Sequence, residues 1–138
     1  MVLGFDYGTK RIGVAVGETV TGSARGLKAL HTTADGSPPW DDIAALLDEW
    51  RPADLVVGLP RHLDGRDSPL ASSARAFATE LERRSSLPVA LCDEALSTEA
   101  ARARLAERRK TGARRATRDD LNAEAACRIL QTWLTENA

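Results

Sequence analysis

Residues 3–17 read LGFDYGTKRIGVAVG, and the fold turns on how they are read. Residues 2–6 and 11–17 are two apolar, β-rich runs joined across Asp6-Tyr7-Gly8-Thr9-Lys10. Gly8 permits a tight turn between them. A third strand is expected around Gly26–Thr32, after a polar turn at Glu18–Arg25. Three consecutive strands with short connections predict an antiparallel meander. Asp6 is the odd residue, because carboxylates are sparse in runs that read as buried strand.

Downstream the period changes from two to 3.6. Ser37-Pro38 offers an N-cap followed by an N1 proline. Trp40, Ile43, Ala44, Leu47 and Trp50 then recur at helical spacing, until Pro52 ends the run. Asp54–Pro60 is a short apolar stretch bounded by turn residues, hence a buried strand. Ser68-Pro69 repeats the cap signal before a helix carrying Leu70, Ala74, Phe77, Ala78 and Leu81. Pro88–Cys92 predicts another strand, Ser97 to Arg109 a helix, and Lys110–Arg118 a basic loop. The last helix is expected over Asp120–Leu134, with Ala126, Ile129, Leu130, Trp133 and Leu134 inward. The order β-β-β-α-β-α-β-α-α predicts an α/β fold: a meander plus two parallel strands in a five-stranded mixed sheet, with helices on both faces. No linker or repeat interrupts residues 1–138, so one domain is expected.

The net charge of −1 by itself calls for no polyanionic partner, but its distribution is uneven. Residues 102–118 hold eight basic side chains against Glu107 alone, a local +7 that leaves −8 on the remainder. Arg109, Lys110, Arg114 and Arg115 in this segment, with Lys10 and Arg11 at the first turn, are the candidate phosphate-backbone contacts. A solvated helix end and loop would carry the same charges. Cys92 and Cys127 have no metal spacing and read as buried thiols of a reducing compartment. No apolar stretch reaches the roughly 18 residues a membrane span requires. Neither is there a secretory signal pattern, so a cytoplasmic protein is expected.

In an open α/β sheet, sites gather at the carboxyl ends of parallel strands. Asp6 closes the first strand and Glu94 follows the last. Two converging carboxylates repel unless a cation joins them or one keeps its proton. Hard carboxylate oxygens suit Mg²⁺ or Mn²⁺, which activates water at phosphoryl centres. Locally, Asp6 could instead accept the N–H groups of its own turn, and Glu94 could pair with an arginine.

Four stretches together resemble the YqgF family of nucleases: GFDYGTKRIGVAVG at 4–17, VVGLPRHLDG at 56–65, LCDEALST at 91–98 and DDLNAEAACRIL at 119–130. The resemblance spans nearly the whole chain. It implies a ribonuclease H-like fold related to Holliday junction resolvases. It implies a cytoplasmic metal-dependent nuclease maturing the 5′ end of precursor 16S rRNA, in contact with RNA or a ribosomal particle; branched DNA is the other substrate. It further implies metal-binding acids at Asp6 and Glu94 and a third acid at the position of Asn122. The family's motif arginine is replaced by Ala95. Asn supplies one neutral carbonyl oxygen where Asp supplies an anionic pair. One turn earlier, Asp119 is the candidate replacement acid if the helix begins early. Asp120 is expected to cap that helix.

Tyr7 is the candidate stacking side chain near the site, whereas Trp40, Trp50 and Trp133 read as core. His62 could touch substrate, but an exposed loop position is the expectation for it. Two other functions compete. Asp-Tyr-Gly-Thr also resembles the phosphate loop of actin-like ATPases and sugar kinases, but the second half of such a cleft is absent from the sequence. Asn122 and Ala95 also fit a non-catalytic RNA-binding assembly protein. Monomer and homodimer are both open.

Overall fold

The computed structural model describes residues 1–59, 69–93 and 117–137. Among these residues, β1 (Val2–Asp6), β2 (Arg11–Glu18), β3 (Ser23–His31), β4 (Asp54–Leu59) and β5 (Val89–Asp93) form one sheet of order β3-β2-β1-β4-β5. The first three strands are antiparallel neighbours, and β4 and β5 run parallel to β1. The helices are α1 (Trp40–Trp50), α2 (Pro69–Ser85) and α3 (Arg118–Asn137). The mixed five-stranded sheet expected from periodicity is present. The helix expected over 97–109 and most of the basic loop lie outside the described residues.

Alternation along each strand sorts the core into two faces. Leu3, Phe5, Ile12, Val14, Val16, Leu55 and Val57 meet Ile43 and Leu46 of α1 and Phe77, Ala78 and Leu81 of α2. Val2, Ala15, Val56 and Cys92 face the other way, onto Ala126, Cys127, Ile129, Leu130 and Leu134 of α3. Each of those three large aliphatic side chains of α3 is fully buried, a gain of roughly 1.5–3 kcal/mol apiece over exposure.

The α3 face is paved with small residues, and the helix backbone sits almost on the sheet. A Cβ added at Gly13 would fall 2.0 Å from the Asn122 carbonyl oxygen. At Gly26 it would fall 3.0 Å from the Ala123 carbonyl oxygen, at Gly4 3.0 Å from Leu130 Cβ, and at Gly17 2.8 Å from a Leu134 methyl. Glycines that read in sequence as ordinary members of β-runs are the seats of this helix.

Several boundaries differ from expectation. β3 spans Ser23–His31 rather than 26–32, because the hairpin closes within four residues; Gly22, at φ 68°, donates to the Glu18 carbonyl at 2.9 Å. Ser37 does not cap α1. Its N–H donates to Asp35 at 3.1 Å and its carbonyl accepts from Thr33 N–H at 2.9 Å, so it belongs to the preceding turn. The helix therefore starts at Trp40, with Pro39 at the N-cap and no side-chain cap bond. Leu46 rather than Ala44 completes its buried stripe. The last helix begins at Arg118, two residues early, through a reciprocal capping box. Asp120 accepts from the Thr117 N–H at 3.0 Å, and Thr117 Oγ1 accepts from the Asp120 N–H at 3.1 Å. Asp120 thus caps, as its position predicts.

Candidate active site at the carboxyl end of β1

Asp6 ends β1 on the α3 face, in register with Gly13 of β2 on one side and Gly58 of β4 on the other. Neither neighbour has a side chain to crowd its carboxylate. The space over Gly13 is taken by the Asn122 carbonyl, so Asn122 stands over the residue paired with Asp6. Gly58 in turn pairs with Cys92 of β5. The strand carrying Asp6 and the strand leading to Glu94 are therefore separated by β4 alone. Glu94 itself lies outside the described residues, as do Arg109, Lys110, Arg114, Arg115 and His62. A hard carboxylate with glycine on both flanks suits a small dication in kind. Among the described residues, no group of three or more His, Cys, Asp or Glu side chains converges as a metal cluster.

The turn after Asp6 is fixed by its backbone. A Cβ at Gly8 would approach the Arg11 carbonyl oxygen to 2.5 Å, which only glycine avoids. Thr32, just beyond β3, donates its hydroxyl to the carbonyls of Thr9 at 3.1 Å and Lys10 at 3.3 Å, and its N–H to Lys10 at 3.1 Å. Lys10 is thereby anchored through its backbone while the residue remains exposed.

The first turn of α3 contributes the remaining groups. Asn122 donates its Nδ2 hydrogen to the Arg118 carbonyl one turn back, at 2.9 Å. Asp119 turns toward β2 and β3. Arg11 Nε donates to its Oδ1 at 2.9 Å, and His31 Nε2 donates to its Oδ2 at 3.1 Å. The His31 hydrogen bond chiefly holds the Asp119 carboxyl below the usual carboxylate range; partial desolvation opposes it, and the His31 charge and Arg11 add to it. The expected third acid and one expected phosphate contact are thus partners of each other. His31 has no sequence pattern that marks it, since its partner lies 88 positions away.

Tyr7 faces the opposite side of the sheet from Asp6, so it does not form a stacking platform beside that carboxylate. Its ring lies 5.2 Å from that of Phe77, which also meets Phe5 at 5.9 Å and Trp40 at 5.4 Å. Arg84 covers Trp40 at 4.4 Å and Arg25 covers Trp50 at 5.5 Å, while Trp133 packs against the α3 core. The three tryptophans serve packing, as their spacing predicts. No described helix is long and apolar enough to cross a membrane.

A family model described as RuvX, Holliday junction resolvase, matches residues 1–136. Curated proteins named "Putative pre-16S rRNA nuclease" from Yersinia pestis (strain Pestoides F) and Yersinia pseudotuberculosis serotype O:1b are 46% identical over 137 residues, covering 99% of this chain and 96% of theirs. Among solved structures, RuvC of Thermus thermophilus in complex with a Holliday junction substrate superposes with a TM-score of 0.54 at 18% identity, covering 98% of this chain and 93% of that one. The yeast mitochondrial Holliday junction resolvase Ydc2 gives 0.52 at 12% identity, over 96% and 77%. These two likenesses establish the ribonuclease H-like fold.

Proposed function

The chain belongs to the family described as RuvX, Holliday junction resolvase, and from that premise we propose that it is a metal-dependent nuclease processing the 5′ end of precursor 16S rRNA. The reading is carried by the placement of Asp6, at a strand end between two glycines, in a chain 46% identical to relatives named for pre-16S rRNA. One ribonuclease H-like domain spanning residues 1–138, at work in the cytoplasm, fits this assignment.

Asp6 and Glu94 would hold Mg²⁺ or Mn²⁺. When bound, such an ion supplies an activated water and stabilises charge building on the phosphodiester. The register that sets glycine on both sides of Asp6 supports this role. Asn122 would offer a neutral amide oxygen at the third position. Lys10, Arg109, Lys110, Arg114 and Arg115 would meet the phosphate backbone, with Arg11 sharing its guanidinium between Asp119 and substrate. A four-way DNA junction is the second substrate, favoured by the description of the family.

Cleavage assays on precursor 16S rRNA and on a four-way junction, with Mg²⁺ or Mn²⁺, test the assignment. Wild type is expected to cut the RNA, and Asp6→Asn to leave it intact. Cutting of the junction alone moves the substrate to DNA. If both nucleic acids stay whole while RNA is bound in a salt-sensitive manner, the protein is an RNA-binding assembly factor and the nuclease reading fails.

A further inference from the structure

We propose that Asp119 is a positioning residue: its two carboxylate oxygens clamp Arg11 and His31, fixing the first turn of α3 over the sheet and setting Asn122 beside Asp6. The functional half of this proposal rests on the nuclease reading; the clamp itself does not.

Three elements meet at this carboxylate. Arg11 opens β2 and His31 closes β3, and the two are cross-strand partners. Asp119 joins both to α3, at 2.9 Å and 3.1 Å. Apolar side chains do not hold this turn; its backbone touches the sheet at Gly13, and the clamp adds a side-chain tie one turn earlier. Residues 118–122 are all exposed or half-buried, and the buried side chains of α3 begin at Ala123. The reciprocal bonds of Thr117 and Asp120 close the helix end upon itself. The clamp is a side-chain link from this turn to both β2 and β3.

The same geometry argues against metal ligation by Asp119. Both of its oxygens already accept hydrogen bonds from basic side chains. A dication there would have to displace them and would sit against the Arg11 guanidinium, a like-charge contact. A clamp that holds Asn122 acts on catalysis through position, where a shift of about 1 Å costs on the order of 100-fold.

Amide hydrogen exchange, Mn²⁺ titration calorimetry and steady-state cleavage of precursor 16S rRNA together test the assignment on the full chain. In Asp119→Ala, the amides of residues 121–124 are expected to exchange about tenfold faster, while those of 129–134 keep their protection. Mn²⁺ affinity is expected to hold in Asp119→Asn and Asp119→Ala. For both variants kcat should fall by about 10- to 100-fold with KM unchanged. The reversed pair, Arg11→Asp with Asp119→Arg, should recover the lost exchange protection. Weaker Mn²⁺ binding with unchanged exchange overturns the proposal and makes Asp119 a ligand. Unaltered exchange in Asp119→Ala, or no recovery in the reversed pair, also overturns it. Should wild type cleave nothing, the nuclease reading falls, while exchange and Mn²⁺ binding still decide the clamp.

Discussion

Replacing Gly13 by alanine probes the seat of α3 directly. The new methyl would lie 2.0 Å from the Asn122 carbonyl oxygen and 2.5 Å from its carbonyl carbon. An ordinary carbon–oxygen approach is about 3.3 Å, so the helix must withdraw by roughly 1.3 Å at this end. Backbone lies on both sides of the contact, and no side chain can rotate away. Overpacking alone costs about 1–3 kcal/mol. A withdrawing helix also opens gaps above Ile129, Leu130 and Leu134, and a gap of about 0.5–1 Å forfeits a quarter to a half of the dispersion contact. The sum is a loss of about 3–5 kcal/mol, or roughly 10–15 °C in Tm for a chain of this size. Urea denaturation followed by tryptophan fluorescence measures it, since Trp133 lies on the displaced helix. Gly22→Ala is the control. Its Cβ would meet nothing within 4 Å, so only the φ of 68° is penalised, at about 1–2 kcal/mol. If Gly13→Ala loses no more than Gly22→Ala, α3 does not rest backbone on backbone and the reasoning fails.

Phe77→Ala, which empties the centre of the Phe5–Tyr7–Trp40 ring cluster, should cost about 3–5 kcal/mol in the same denaturation assay. Asn122→Asp is expected to tighten Mn²⁺ binding by calorimetry and to speed cleavage; weaker binding would mean that position 122 does not share a site with Asp6. Glu80, paired with Arg83 and Arg84 on α2, has its pKa lowered to about 2, chiefly by the Arg83 hydrogen bond. Its folded value lies below the unfolded one, so its contribution to stability is complete above about pH 4.5 and is lost as pH falls toward 2. A carboxyl carbon NMR titration of Glu80 with a midpoint near the ordinary glutamate value would contradict the pairing.

The sheet was legible because alternation and turn residues mark each strand locally. Helix faces were legible from the spacing of Phe77, Ala78 and Leu81. Contacts between distant segments were not. Gly4, Gly13 and Gly17 look alike in sequence, and their role emerges only when a helix more than 100 residues later lies on them. Ser37 satisfies every local rule for a cap, yet Thr33 and Asp35 take its hydrogen bonds first. The early start of α3 was signalled by Thr117-x-x-Asp120, a capping pattern that precedes an apolar run. Of the candidate site, the strand-end placement of Asp6 could be read from alternation. The engagement of Asp119 could not, because helical periodicity gives the face of a residue and not the partner that meets it there.

The glycine seats also bear on how this protein can change. Side-chain interdigitation couples every substitution to its neighbours, so a new residue drags the frame with it. Here the main chain of β2 is the template against which the main chain at residue 122 is cast. A change of the side chain carried there leaves that backbone seat on Gly13 untouched. Side chains can drift at that position while the architecture stands still.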